Sequence, residues 1–373
     1  MSEYQYYDFY SIDRALNREE LETIRTFSSR VHATPRRATF EYNFGDFRYD
    51  ELEVLNDFFD IMLYVANWGS RRLAMKFPAS LVSHKVLRTY DIDAGYDYTN
   101  EIRVLRNGPN IIVDMYCSLE DGDWVEGEGM LDQLLPLRAQ ILGGDHRALY
   151  LAWLHLAYEY PDIEEEWLVP ITPANLKNLD HALECFVGFW EMDGDLVRAV
   201  SETSKEEAIV SDEMLQALVE SLTDKEKNQF LSTLVTNGVQ AKNQLRKRLM
   251  ELNGKVGNSS DKVSFTLGEL REATARYREE RIQQEKMQAE REYQEKLERI
   301  KRDEVSMWEE IAESAEQKNA NGYMRAVSLL KELKEFYDFH DRQIVFHDML
   351  RQVLEKYGKS IALRRRMKEN GIF

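Results

Sequence analysis

The turn Gly143-Gly144-Asp145-His146-Arg147 sets an acid, an imidazole and a guanidinium side by side between two apolar runs. Such a trio suits acid–base chemistry, yet each member also has an architectural use. A glycine pair stops a helix where a left-handed residue is required. Asp145 can then cap the next helix by accepting backbone N–H groups of His146, Arg147 or Ala148. Arg147 can return to an acid or to the end of the preceding helix. A corner between helices therefore accounts for every residue of the turn except His146.

The other chemistry-bearing stretches fall short of a site. In "FHDRQIVFHD", His340 and His347 lie seven residues apart, about 10 Å along a helix. Two histidines that share a zinc on one helix want a spacing of four. A turn near Phe339-His340, with His347 on the flank of the next helix, is the expected arrangement. "DIDAGYDY" (91–98) puts Gly95 where a calcium loop needs an acid, so it reads as a turn. The acidic loop "LEDGDWVEGEG" specifies no cation by its spacing. No G-x-S-x-G, phosphate loop or G-x-G-x-x-G occurs, and Gly127-Glu128-Gly129 lacks a third glycine. Cys117 falls in a predicted strand and Cys185 on a helical apolar face, so both read as small core hydrophobes. No catalytic residue, metal or cofactor is expected from these signals. Polar residues in the first part of the chain, Asp13, Arg14, Asp46, Trp68 and Arg71, are denser than packing requires. If the chain were an enzyme of unrecognised type, a pocket gathering at least three of these would be its site.

The elements that must position such residues follow from periodicity. An α+β N-terminal domain is expected over 1–125, a helical domain over 126–252 and a linker over 253–263. A long charged helix over 264–312 and a C-terminal helical hairpin over 313–373 complete the chain. Asn17-x-x-Glu20 forms a capping box ahead of "LETIRTFSSRV". "RRATFEYNF" and "RRLAMKF" read as strands, and "YDELEVLNDFFDIMLYVANW" reads as one helix by its three- and four-residue spacings. Asn107-Gly108-Pro109 joins two β-rich runs into a hairpin. Helical patterns cover roughly 129–142, 145–159, 173–190 and 194–201, with more between 205 and 252. From Arg271 to Glu304, 20 of 34 residues are charged, and acids stand four residues ahead of bases, as in Glu292/Lys296. Ala289, Tyr293, Leu297 and Ile300 begin a narrow stripe that continues to Trp308 and Ile311. That stripe predicts a projecting helix docked by its C-terminal half, or else homo-oligomerisation through residues 289–311 as a coiled coil.

The chain has 373 residues and a net charge of −18. Residues 101–200 hold 19 acids against 6 bases, a balance of −13, whereas residues 351–373 hold 7 bases and 2 acids. A field of that sign repels phosphate backbones, so direct nucleic-acid binding is not expected; the acids read first as a solubilising surface, and alternatively as a patch for a basic partner. An acidic regulator that mimics nucleic acid would need the acids of 101–200 in one exposed stripe. No apolar run reaches the length of a membrane span. "MSEYQYYDFYSIDR" does not read as a signal peptide, and two cysteines suit a reducing, cytoplasmic setting.

The stretches "SEYQYYDFYSIDR", "EYNFGDF", "YVANWGSRRL" and "LLPLR…GDHRALYLAWL" resemble an uncharacterised bacterial family. The resemblance extends to the charged segment and to "YMRAVSLLKELKEF". It departs at Ala15, where relatives often carry Pro, and at Gly143, where they often carry Arg. The resemblance implies no catalytic residue. It implies a genomic setting beside a SWIM-type zinc-finger protein, sometimes with a MoxR-type AAA ATPase and von Willebrand A-domain components. The SWIM zinc ligands themselves are absent from this chain. Expected partners are therefore a SWIM-type zinc-finger protein or an AAA ATPase system, with this chain as a non-catalytic interaction or adaptor protein.

Overall fold

The computed structural model describes residues 3–93, 100–119, 125–159, 164–206, 212–236 and 265–373, with scattered positions between 241 and 252. The expected linker 253–263 lies outside the described residues. The chain divides into two compact units, Met1–Arg278 and Glu279–Phe373.

The first unit is built on an eight-stranded sheet. Its strands are β1 (Gln5–Tyr10), β2 (His32–Ala33), β3 (Arg37–Tyr42), β4 (Ile61–Ala66), β5 (Ser70–Pro78), β6 (Ile92–Asp93), β7 (Glu101–Asn107) and β8 (Asn110–Ser118). Their order is β2-β3-β1-β4-β5-β8-β7-β6, antiparallel throughout. Helices α1 (Arg18–Phe27) and α2 (Glu51–Phe58) lie on one face. The short α3 (His84–Leu87) leads toward β6. Helices α4 (Met130–Leu142), α5 (Arg147–Glu159), α6 (His181–Phe189) and α7 (Gly194–Thr203) cover the other face, where they share one core with Leu63, Leu73, Met75, Val113 and Met115. These helices, expected in a separate domain starting at residue 126, have no core apart from the sheet. The reason shows in α5, whose residues Ala148 to Ala157 are all buried. A helix apolar on every side is stable only inside a larger core.

Two local expectations are corrected. The run 50–68 is not one helix: α2 ends at Phe58, and Ile61–Ala66 is a strand buried on both faces. A continuous apolar strand carries no period-two signal, and its spacing imitates a helix. The helix expected over 173–190 begins only at His181, where Asp180 caps it by accepting the N–H groups of Ala182 and Leu183. The capping box at α1 forms as expected, with Asn17 and Glu20 exchanging side chain-to-backbone bonds of 2.8 and 2.9 Å.

Asp50 caps α2, accepting from Leu52 and Glu53 N–H at 2.9 Å each. Asp50→Ala is expected to lower the unfolding free energy by about 1 kcal/mol. A urea midpoint that does not move would show the cap to be replaceable by water.

After α8 (Asp212–Glu220) and α9 (Asp224–Thr236), helix α10 runs from Leu267 to Glu316. Its first turns belong to the first unit, where Leu267 and Leu270 join the core under the sheet. In the second unit, α10 packs with α11 (Ala320–Phe339), α12 (Gln343–Tyr357) and α13 (Ile361–Glu369). The region is all-helical, with a long charged helix and a terminal hairpin followed by one more helix. The stripe Leu297, Ile300, Trp308 and Ile311 is buried against Leu330, Leu333 and Phe346 of this unit. Its apolar face is thus already covered by the chain's own helices. The turn between α11 and α12 falls at His340 and Asp341, as the histidine spacing suggested.

Candidate functional site

Helix α2 covers only part of its sheet face, and the rest is lined with polar residues. Strand pairing aligns Phe40, Tyr7, Tyr64, Arg72, Tyr116 and Glu101 into one row across β3, β1, β4, β5, β8 and β7. The next row aligns Ala38, Phe9, Met62, Ala74, Asp114 and Arg103. Along each strand, alternate residues point to opposite faces. Leu73, Met75, Val113 and Met115 therefore enter the helix-covered core, while Arg72, Asp114 and Tyr116 face the α2 side.

Over these rows opens a cavity of about 430 Å³, lined by Gln5, Tyr7, Asp46, Phe47, Glu51, Tyr64, Trp68, Arg72, Glu101, Arg103 and Tyr116. A second hollow of about 560 Å³ lies beside it and shares Glu51, Arg72 and Arg103. Trp68 sits between β4 and β5 and is 46% exposed. The turn that presents it depends on Gly69, whose φ is +92° and where a Cβ would collide with the Leu119 carbonyl.

The floor is held by two networks. Gln5 Oε1 accepts from both Tyr7 and Tyr64 hydroxyls at 3.0 and 3.1 Å, and Gln5 Nε2 donates to Asp46 at 2.8 Å. Asp114, completely buried, accepts from Arg72 at 2.7 and 2.9 Å and from Arg103 at 2.7 Å. Burial alone would raise the Asp114 pKa, but the two guanidiniums outweigh it and hold the carboxyl below its usual range. Glu101 lies 3.0 Å from Arg103 Nε, a contact of charge rather than an aligned hydrogen bond. Burial pushes its carboxyl up despite that neighbour. Burial likewise raises the Tyr7 and Tyr64 hydroxyls, which stay protonated donors at neutral pH.

Of the five residues singled out in the sequence, Asp46 and Trp68 meet in this cavity. The other three do not. Asp13 makes a bidentate ion pair with Arg138 at 2.9 and 2.8 Å, tying α4 to the chain that follows β1. Arg14 pairs with Glu20 on the surface, bracing the α1 cap. Arg71 points to the opposite face, where its buried guanidinium donates to the Phe189 carbonyl at 2.6 Å and pairs with Glu191. Dense polar motifs here are partly structural clamps, so the three-residue gathering required of an enzyme site does not occur. The residues missed, Gln5, Tyr7, Arg72, Glu101, Arg103 and Tyr116, come from four strands. Their only sequence signal is polar text at period two inside otherwise apolar strands, as in Glu101 and Arg103.

Cys185 is also corrected: it is half-buried rather than in the core. Its thiol donates to Gln133 Oε1 at 2.9 Å and lies 3.5 Å from His181 Nε2. Burial and Glu184 raise its pKa, so it stays a thiol and is a poor nucleophile. In the turn 143–147, Gly144 takes the left-handed conformation, Asp145 accepts the Arg147 N–H, and the Arg147 side chain returns to Asp145 and to the carbonyls of Asn175 and Asn178. His146 packs edge-on against Tyr90, with ring centres 6.0 Å apart. Among the described residues, no three His, Cys, Asp or Glu side chains gather as metal ligands, and no helix is long and apolar enough to cross a membrane. Glu101, Asp114 and Asp195, three of the acids that make 101–200 so negative, are buried and cannot belong to an exposed stripe.

Compared with known proteins, the chain matches no family model, no curated protein and no solved structure.

Proposed function

We propose that the chain is a non-catalytic interaction protein, an adaptor whose sheet cavity is a recognition surface for a protein partner. The observation that carries this reading is that the donors of the cavity floor are spent on one another, while Asp46 and Glu51 remain as fixed negative charges. A general acid or base must present a free proton or lone pair to its substrate. Here the two tyrosines end on Gln5, Gln5 ends on Asp46, Asp114 ends on two arginines, and Tyr116 ends on Ser70 at 3.1 Å. Such a floor is rigid and fixed in its charge pattern, which suits binding more than turnover. Helix α10 adds support, because every residue from Glu279 to Glu292 is exposed, including Ile282 and Met287.

The family resemblance makes a SWIM-type zinc-finger protein or an AAA ATPase the expected partner. Purification of the tagged chain from its native cells at moderate salt, after mild crosslinking, is expected to recover at least one protein in near-stoichiometric amount by mass spectrometry. Repeated recovery of the chain alone would overturn the adaptor reading.

A further inference from the structure

We infer that the cavity over β1, β4, β5 and β8 takes a cationic side chain, an arginine of a basic segment on the partner protein. This rests on the adaptor reading and specifies its chemistry. Among the described residues, Arg72 and Arg103 are the only cations lining the cavity, and both are engaged by buried Asp114, with Glu101 beside Arg103. Asp114 and Glu101 together cancel the two guanidiniums. Asp46 and Glu51 then stand as two carboxylates in excess, Asp46 accepting only a neutral amide proton from Gln5 and Glu51 lying 3.5 Å from Arg72. A ligand anion would meet this surplus of negative charge and no free guanidinium.

The walls favour the same ligand. Tyr7, Phe47, Tyr64, Trp68 and Tyr116 line the same cavity as the carboxylates. A guanidinium stacks on such rings, Trp above all, while its N–H groups reach carboxylates. The tyrosine hydroxyls add negative ends of dipoles but no cation. The cavity falls within the usual size of a small-ligand pocket, and half-exposed Trp68 leaves its mouth open.

The test titrates the full chain with a short glycine–arginine peptide and with its counterpart carrying citrulline, the neutral isostere, at each arginine. Calorimetry gives the affinity, and tryptophan emission reports the cavity, with Trp68→Phe identifying the Trp68 signal. The arginine peptide is expected to bind at least about tenfold more tightly than the citrulline peptide. Glu51→Gln, which leaves the Asp46–Gln5 bond intact, is expected to weaken it several-fold, and Glu51→Gln with Asp46→Asn about tenfold or more. Urea midpoints confirm that the variants are folded. Equal binding of the two peptides, or unchanged affinity in a folded Glu51→Gln variant, would overturn the inference. A native partner that still copurifies with such a variant leaves the adaptor reading standing and removes this one. An arginine peptide that binds in the cavity of a chain that copurifies alone does the reverse.

Discussion

Replacing Asp114 by Ala is expected to lower the unfolding free energy by about 3–5 kcal/mol, enough to unfold a marginal domain. Two guanidiniums converge on this fully buried carboxylate, and Arg72 is itself mostly buried. Removing the acid leaves buried positive charge with no counter-charge beneath it, which costs far more than the pair contributed when intact. Arg103 is 39% exposed and can turn to water, which sets the expected loss nearer the lower figure. The triple variant Asp114→Leu, Arg72→Met, Arg103→Met should recover most of the loss, because no charge is then stranded. Urea unfolding checks both, and a loss below about 1 kcal/mol for Asp114→Ala would show that the network relaxes into solvent. The depressed Asp114 pKa also sets a pH window. Its contribution is present above the unfolded-state carboxyl pKa of about 3.9 and is lost as pH falls through the lower folded value.

The second large effect is acid destabilisation through His155. This side chain is buried in α5, edge-on to Trp190 with ring centres 5.6 Å apart. Among the described residues, neither His155 Nδ1 nor Trp190 Nε1 has a hydrogen-bond partner. Burial pushes the imidazole pKa down to about 4, so the folded protein holds it neutral while the unfolded chain protonates near 6.5. The unfolded state then binds more protons between these values. Stability is undiminished above about pH 6.5, falls as pH drops, and has lost about 3 kcal/mol by pH 4. His146 is shifted the same way by burial and adds to the slope. Glu159, raised by burial, opposes it. The difference between chains isolates the residue: His155→Leu is expected to lie within about 1 kcal/mol of the parent at pH 7.5. It should exceed the parent increasingly toward pH 4. Parallel pH curves for the two chains would rule out His155 as the source.

How much of this was legible in the residues differs between helices and site. The capping box at Asn17, the Asn107–Pro109 turn, the Gly143–Asp145 corner and the charged helix all write their geometry locally, within four or five positions. Strand β4 does not, because burial on both faces erases the alternation that marks a half-exposed strand. Strand β1 has the same difficulty, with tyrosines on both sides of the sheet. The cavity is less legible still. Tyr7 and Tyr64 are 57 positions apart and Arg72 and Asp114 are 42, and only the strand order makes them neighbours. Asp46 and Trp68 were picked out because polar and aromatic residues stand out in short motifs. Asp13, Arg14 and Arg71 stood out for the same reason and turned out to be clamps.

The strand order also dictates a schedule for synthesis. Strands β1 to β5 emerge early and can pair among themselves, but the outer edge of β5 must await β8, with β6 and β7 made in between. The sheet's second face, with Leu63, Leu73 and Met75 in its centre, has no cover until α4 to α7 have left the ribosome. Leu267 and Leu270 of α10 arrive later still. For some 125 residues of translation, from Pro78 to Thr203, roughly six to twenty-five seconds at about 5–20 residues per second, the nascent chain carries a bare apolar surface, and for the first 40 of these an open strand edge. Both are templates for misassociation. This topology puts the hazard of misassociation in the interval of synthesis, before the second face of the sheet is closed.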